Sequence, residues 1–300
     1  MPDVAPTSPL VVARDLDRWL TSGDSPPIVV DVRWQLGRGV DGNRSEYLNG
    51  HIPGAGFVDL EAALAGHPRS DGVGGRHPMP DVASATEAFR SVGITPGRPV
   101  VFYDGATSLA AARAWWVLQY FGKHDVYVLD GGHAAWLAAG LPSAEGEVTV
   151  DPGDVDLTPW GRVALDADGV AAYLGGGASA STSPSPSGVL IDARAPERYR
   201  GDVEPMDPVA GHIPGAVNIA TLGILSDTGA FDPAAMRRHL NDLGINETTE
   251  VALYCGSGVQ AAHLALAIEV AQPGRPAPAV YVGSWSDWVS DPSRPVATGG

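Results

Sequence analysis

In the segment Leu253-Tyr-Cys-Gly-Ser-Gly-Val-Gln-Ala-Ala-His263, Cys255 is the single cysteine of a 300-residue chain. It ends an apolar run and precedes a glycine-rich turn. A lone free cysteine is ordinarily a small buried hydrophobe. Three features point instead to a nucleophile. Gly256, Ser257 and Gly258 are a poor choice for a core and a good one for a tight loop whose backbone N–H groups turn inward. Those groups, with Val259 and Gln260 opening the next helix, would surround the sulfur with positive field and favour the thiolate at neutral pH. Finally, an internal repeat places Asp104 where Cys255 stands, so the element tolerates the loss of sulfur while one copy keeps the nucleophile. This reading requires a sulfur held as an anion by main-chain N–H groups and open to solvent.

Other chemistries fit less well. A cysteine phosphatase needs an arginine six residues after the cysteine to grip phosphate in a bidentate way, and Ala261 stands there. A carrier or interaction module with little turnover is the alternative from a different class. Asp130 to Trp136, DGGHAAW, lacks the spacing and partner acid of a nucleotide site. There is no clustering of histidine with cysteine for a metal, so neither metal nor cofactor is expected.

The elements that must position this loop occur twice. Asp31 recurs as Asp192 and His51 as His212, the same offset of 161 residues. The run VVFYDGATSLAAARAWW lines up with EVALYCGSGVQAAHLAL, and YVLDGGHAAW with VYVGSWSDW. Short β-branched runs alternate with helical patterns in each copy, which predicts an α/β fold of two tandem domains, each a parallel sheet with helices on both faces. The expected boundaries are residues 1–142 for a first domain, 143–162 for a Pro- and Gly-rich acidic linker, and 163–300 for the domain carrying Cys255. Gly175 to Gly188, GGGASASTSPSPSG, reads as a low-complexity mobile loop. Duplication also assigns His51, His212, Asp31 and Asp192 to fixing turns and loops, since a site used once needs only one of each. Trp285 and Trp288 read as core.

Composition bounds the setting. Apolar residues make up 44% of the chain, enough to fill two cores. A single cysteine makes no internal disulfide, and neither a secretory signal nor a membrane-spanning run is evident, so a cytoplasmic protein is expected. A formal charge of −16 disfavours nucleic acid and anionic membrane as partners.

The tandem halves, the two GHIPGA turns, the CGSGV loop and VGSWSDW resemble the two-domain rhodanese family of sulfurtransferases, in the branch typified by 3-mercaptopyruvate sulfurtransferases. The likeness runs from about Val11 to Val296. It implies a catalytically silent first domain and an active site in the cleft between domains. It further implies a cysteine that takes a sulfane sulfur from a small anionic donor and passes it on as a persulfide. With no second cysteine, the acceptor must be external: cyanide, a thiol or reduced thioredoxin. Ser257 matches the family's relay serine, His77 in RHPMP its histidine and Glu61 in FVDLE its acid. Arg198 in PERYRG resembles the first substrate arginine, with Arg194 close behind, and Trp34 the aromatic lining of the cleft. Where mercaptopyruvate enzymes carry a second arginine, after Glu204-Pro205, this chain has Met206-Asp207. One lost clamp weakens the case for mercaptopyruvate, and an uncharged loop weakens the case for thiosulfate.

Overall fold

The computed structural model describes residues 6–21, 25–159, 161–175 and 188–300. Apart from its two end residues, the low-complexity stretch read as a mobile loop lies outside them. Two compact units form. One comprises Met1–Gly66, Pro80–Arg162 and Leu225–Phe231, the other His67–Met79, Val163–Ile224 and Asp232–Gly300. Each unit therefore includes a short segment from the opposite half of the sequence.

The first unit contains β1 (Leu10–Val11), α1 (Ala13–Thr21), β2 (Ile28–Asp31), α2 (Gly39–Leu48), β3 (Gly56–Phe57), α3 (Leu60–Ala63), α4 (Val82–Ser91), β4 (Val100–Tyr103), α5 (Leu109–Tyr120), β5 (Val126–Leu129) and α6 (Gly132–Ala138). Its strands form one sheet in the order β1-β5-β4-β2-β3, every pair parallel. Period-two alternation splits the sheet residues between two faces. Val29, Val101 and Tyr103 pack with Leu16 of α1 and Trp136 of α6. Phe102 points the other way, its ring 6.0 Å from that of Phe89 on α4. Both faces are thus covered, as a parallel sheet requires.

The second unit repeats the plan with β6 (Ala164–Leu165), α7 (Ala167–Tyr173), β7 (Gly188–Asp192), α8 (Pro196–Arg200), β8 (Val217–Asn218), a 3₁₀ turn (Thr221–Ile224), α9 (Pro233–Asp242), β9 (Glu250–Tyr254), α10 (Val259–Ala271), β10 (Ala279–Tyr281) and α11 (Ser284–Trp288). The order β6-β10-β9-β7-β8 is again all parallel. Leu190, Ala252 and Tyr254 pack with Val170 of α7 and with Trp285 and Trp288 of α11, so those tryptophans are core.

Register repeats with topology. Asp31 lies opposite Tyr103 and Asp192 opposite Tyr254. Tyr103 accepts the Ile52 N–H through its hydroxyl, and Tyr254 does the same for Ile213. His51 and His212 each place Nδ1 against a backbone carbonyl, of Tyr47 and Tyr199, and stack on those same rings. The two histidines fix turns.

The segment read as a linker contains no helix or strand among its described residues, but it is not free chain. Gly153 donates to the Arg90 carbonyl at 2.7 Å, and Val155 and Leu157 are buried, so the segment packs as part of the first unit. Its apolar residues outweigh the acidic ones that mark it as solvated in the sequence. No helix among the described residues is long and apolar enough to cross a membrane.

Candidate active site

β9 ends at Tyr254, and Cys255 sits at its carboxyl end, where open parallel sheets place their ligands. Gly258 caps α10 with φ of +81°, a conformation that a residue bearing a Cβ adopts only with strain, and this turns the loop back over the sulfur. The Gly258 N–H donates to Sγ at 3.0 Å, and Ser284 Oγ lies 3.9 Å from Sγ. α11 shapes the loop from behind. Ser284 Oγ accepts the Cys255 N–H at 3.1 Å, while the N–H groups of Trp285 and Ser286 donate to the carbonyls of Cys255 and Gly256.

The sulfur is not open to solvent as the sequence reading requires; Cys255 is 1% exposed. The loop folds over it, and two guanidinium groups, of Arg76 and Arg198, close over Gly256. An ideal Cβ on Gly256 would lie 3.0 Å from Arg76 Nη2 and 3.4 Å from Arg198 Nη1. Polar groups touch the sulfur, so the burial differs in kind from that of a cysteine lost in hydrocarbon.

Arg76 and His77 arrive on the strap of residues 67–79, the part of the sequence's first half that belongs to this unit. α11 anchors the strap as well. Gly74 donates to Asp287 at 2.9 Å and the Arg76 N–H to Ser286 Oγ at 3.1 Å. At Gly75, with φ of +76°, a Cβ would lie 2.3 Å from the Gly283 carbonyl oxygen, so only glycine permits this approach. The strap carries His77 Nδ1 to 2.8 Å from Ser257 Oγ. Of the three residues matched to a relay, the structure brings these two together. Glu61 belongs to the first unit, where it accepts a hydrogen bond from Trp34 Nε1 at 3.0 Å.

The arginines divide. Arg198 pairs with Glu204 at 2.6 Å and with Asp207 at 3.3 Å while keeping part of its side chain exposed. Arg194 is fully buried. It binds Asp192 at 2.7 Å, Glu204 at 3.2 Å and the Gly211 carbonyl at 2.6 Å, and lies over the Trp285 ring. Arg33 repeats this in the first unit, on Asp31 and the Gly50 carbonyl. With its donors spent on the protein, Arg194 holds the loop after β7, and the expectation that it binds donor is withdrawn. Burial works against ionisation of Glu204, but the Arg198 hydrogen bond and the N–H groups of Met206 and Asp207 hold its carboxyl below the usual range. Burial pushes Asp207 up, against the pull of Arg76.

The first copy shows what such a loop accommodates. Ser108, with φ of 62°, caps α5 as Gly258 caps α10. Asp104, in the position of Cys255, accepts four backbone N–H groups: Ala106 and Ser108 on Oδ1 at 3.1 and 2.9 Å, Ala110 and Ala111 on Oδ2 at 3.0 and 3.4 Å. The loop is an anion cradle filled by the protein's own carboxylate.

A rhodanese-like domain profile matches residues 12–139 and again 179–291. The chain belongs to the rhodanese family. It is 44% identical to a probable 3-mercaptopyruvate sulfurtransferase of Pseudomonas aeruginosa, over 97% of this chain and 98% of that one. It is 43% identical to a putative thiosulfate sulfurtransferase, SseB, of Mycobacterium tuberculosis, over 97% of each. Among solved structures it is similar to SseA of Escherichia coli, a 3-mercaptopyruvate sulfurtransferase with the rhodanese fold. The TM-score is 0.77 at 28% identity, covering 93% of this chain and 99% of that one. This rhodanese-family chain is a sulfurtransferase.

Sequence reasoning missed Arg76, Asp207, Ser284, Ser286 and Asp287. For the last three the signal was present: they are the polar positions of GSWSDW, hidden by the tryptophans between them. Arg76 adjoins His77 in RHPMP, but no local pattern shows which loop the strap meets.

Proposed function

We propose that Cys255 takes one sulfur from a small anionic donor, carries it as a persulfide and delivers it to an external nucleophile such as a thiol, reduced thioredoxin or cyanide. The observation that carries this reading is the Gly258 N–H donated to Sγ, which stabilises an anionic sulfur without adding a competing nucleophile. The filled cradle of Asp104 supports it. A persulfide, like a carboxylate, places its outer atom two bonds from Cβ. By the matching caps, the N–H groups of Gln260 and Ala261 correspond to those that hold the outer oxygen of Asp104. The N–H groups of Gly258, Gln260 and Ala261 thus form the sulfur cradle, on the loop that Gly256 and Val259 complete.

The donors in the relatives' names, thiosulfate and 3-mercaptopyruvate, both suit such a site. With thiosulfate, the Cys255 thiolate attacks the outer sulfur and the S–S bond breaks, releasing sulfite. With mercaptopyruvate the C–S bond breaks, and the enolate of pyruvate must take up a proton. Ser257 and His77 supply it, drawing on the proton that the donor's thiol leaves on the new persulfide. Glu61, which accepts a hydrogen bond from Trp34, is the acid that the resemblance adds to this relay. Arg198 binds the donor's anionic group. A chain with one cysteine and no internal disulfide suits a reducing compartment, and the cytoplasm is the location proposed.

Steady-state transfer from each donor to cyanide, followed as thiocyanate, tests the reading. Ping-pong kinetics that disappear in Cys255→Ser are expected. A carrier would load sulfur and release it slowly, and transfer surviving in Cys255→Ser would overturn the proposal.

A further inference from the structure

We infer that Arg76 supplies the second guanidinium of the donor-anion site and that Asp207 is the positioning residue that holds it there; this rests on the sulfurtransferase reading above. Sequence alone suggests that the site has lost an arginine, since Met206-Asp207 follows Glu204-Pro205. The structure puts one back from a distant part of the chain. Asp207 pairs through Oδ1 with Arg76 Nη1 and through Oδ2 with Arg198 Nη2. Its side chain is 4% exposed, against 29% for Arg76 and 16% for Arg198, so the carboxylate lies beneath the two guanidiniums and not in front of them. Their other nitrogens converge on Gly256, the residue after the nucleophile, at 3.0 and 3.4 Å from its ideal Cβ position.

Two planar, permanently charged groups tied from behind by one carboxylate form a preorganised fork for an anion. The fork sits beside the sulfur that attacks. The backbone of Arg76 is fixed independently, through the hydrogen bond from its N–H to Ser286 Oγ, so the side chain is aimed from both ends. The chemistry shared by the two candidate donors is a compact oxyanion next to a transferable sulfur, carboxylate in one and sulfonate-like in the other. A lysine at position 76 would keep the charge and lose the two-pronged match.

Donor kinetics of the full-length protein test this, with 3-mercaptopyruvate and thiosulfate assayed separately and cyanide as acceptor. Arg76→Ala and Arg76→Gln should each raise the donor's KM about tenfold or more while kcat stays within about threefold, the pattern of lost binding and not lost chemistry. Arg76→Lys should recover part of the loss. Asp207→Asn should raise KM in the same direction, and Arg76→Ala with Asp207→Asn together should raise it by less than the product of the two single effects, because Asp207 acts in part through Arg76 and in part through Arg198. A rise for mercaptopyruvate alone identifies a carboxylate site; a rise for both identifies a general anion site. The glutamine variant preserves side-chain size should the alanine variant disturb the strap. If the wild type takes up sulfur and the KM values of the Arg76 variants are unchanged for both donors, the inference is wrong. A lowered KM in Asp207→Asn would show that the carboxylate competes with donor and would overturn its positioning role. If the wild type takes up no sulfur from either donor, the reading beneath fails and the inference falls with it.

Discussion

Ser257 Oγ and His77 Nδ1 lie 2.8 Å apart although 180 residues separate them in the chain. The contact joins the loop after Cys255 to a strap from the other half of the sequence, and on the proposed reading it holds a proton where only one of the two candidate donors needs it. Sulfite leaves thiosulfate as an anion, whereas pyruvate leaves as an enolate. His77→Ala should therefore lower kcat with mercaptopyruvate by roughly 10- to 100-fold, the lower part of what a positioned general acid contributes. With thiosulfate it should change little. Equal loss with both donors would indicate that the contact only holds the strap.

Asp104 fills the anion cradle of the first unit with four N–H donors on one buried carboxylate. Asp104→Ala strands those donors, and a loss of about 2–4 kcal/mol in stability is expected from urea unfolding of the variant. Asp104→Asn keeps one acceptor oxygen and should fall between the variant and the wild type. A neutral Asp104→Ala would mean that water replaces the carboxylate and that the loop needs no anion.

Gly256 gives the fork of Arg76 and Arg198 a separate probe. A methyl group there would press on the flexible end of Arg76 at 3.0 Å, and the backbone of Gly256 lies outside the left-handed region. Gly256→Ala should leave the melting temperature within a few degrees of wild type and raise the donor's KM severalfold. A large drop in melting temperature with unchanged KM would contradict this placement of the guanidiniums.

His133 should make the first unit sensitive to mild acid. Burial, with electrostatic repulsion from Arg33 and a smaller share from His51, pushes its pKa down to about 4. Below the ordinary value of about 6.5 the unfolded chain gains a proton that the folded one refuses, so the stabilisation is complete above that pH and is lost as pH falls toward 4. Unfolding of wild type and His133→Gln between pH 7.5 and 5 checks this: the wild type should lose more stability than the variant. Parallel losses would remove His133 from the account.

Much of this was legible in the sequence because it is written twice. That both units share one parallel-sheet plan follows from paired strands such as Val29 to Asp31 and Leu190 to Asp192, and the duplicated His51 and His212 could be set aside as turn residues. The same reasoning applied to Arg33 and Arg194, which repeat at the same offset in VVDVRW and LIDARA, would have identified Arg194 as structural. Proximity to Arg198 in the chain obscured that. What could not be read is what the strap meets. Nothing in the local pattern of RHPMP says that Arg76 faces Asp207 or that His77 meets Ser257, because those contacts depend on where two separate parts of the fold come together. Burial of Cys255 was likewise hidden, since it depends on side chains that arrive from the strap and from α8.

The most direct test of the central claim is the mass of the intact protein after incubation with donor and removal of small molecules. Wild type should gain a single sulfur, localised by fragmentation to Cys255 and released by cyanide, and Cys255→Ser should gain none. Sulfur bound equally by Cys255→Ser, or a wild type that stays at its original mass with both donors, would contradict the account.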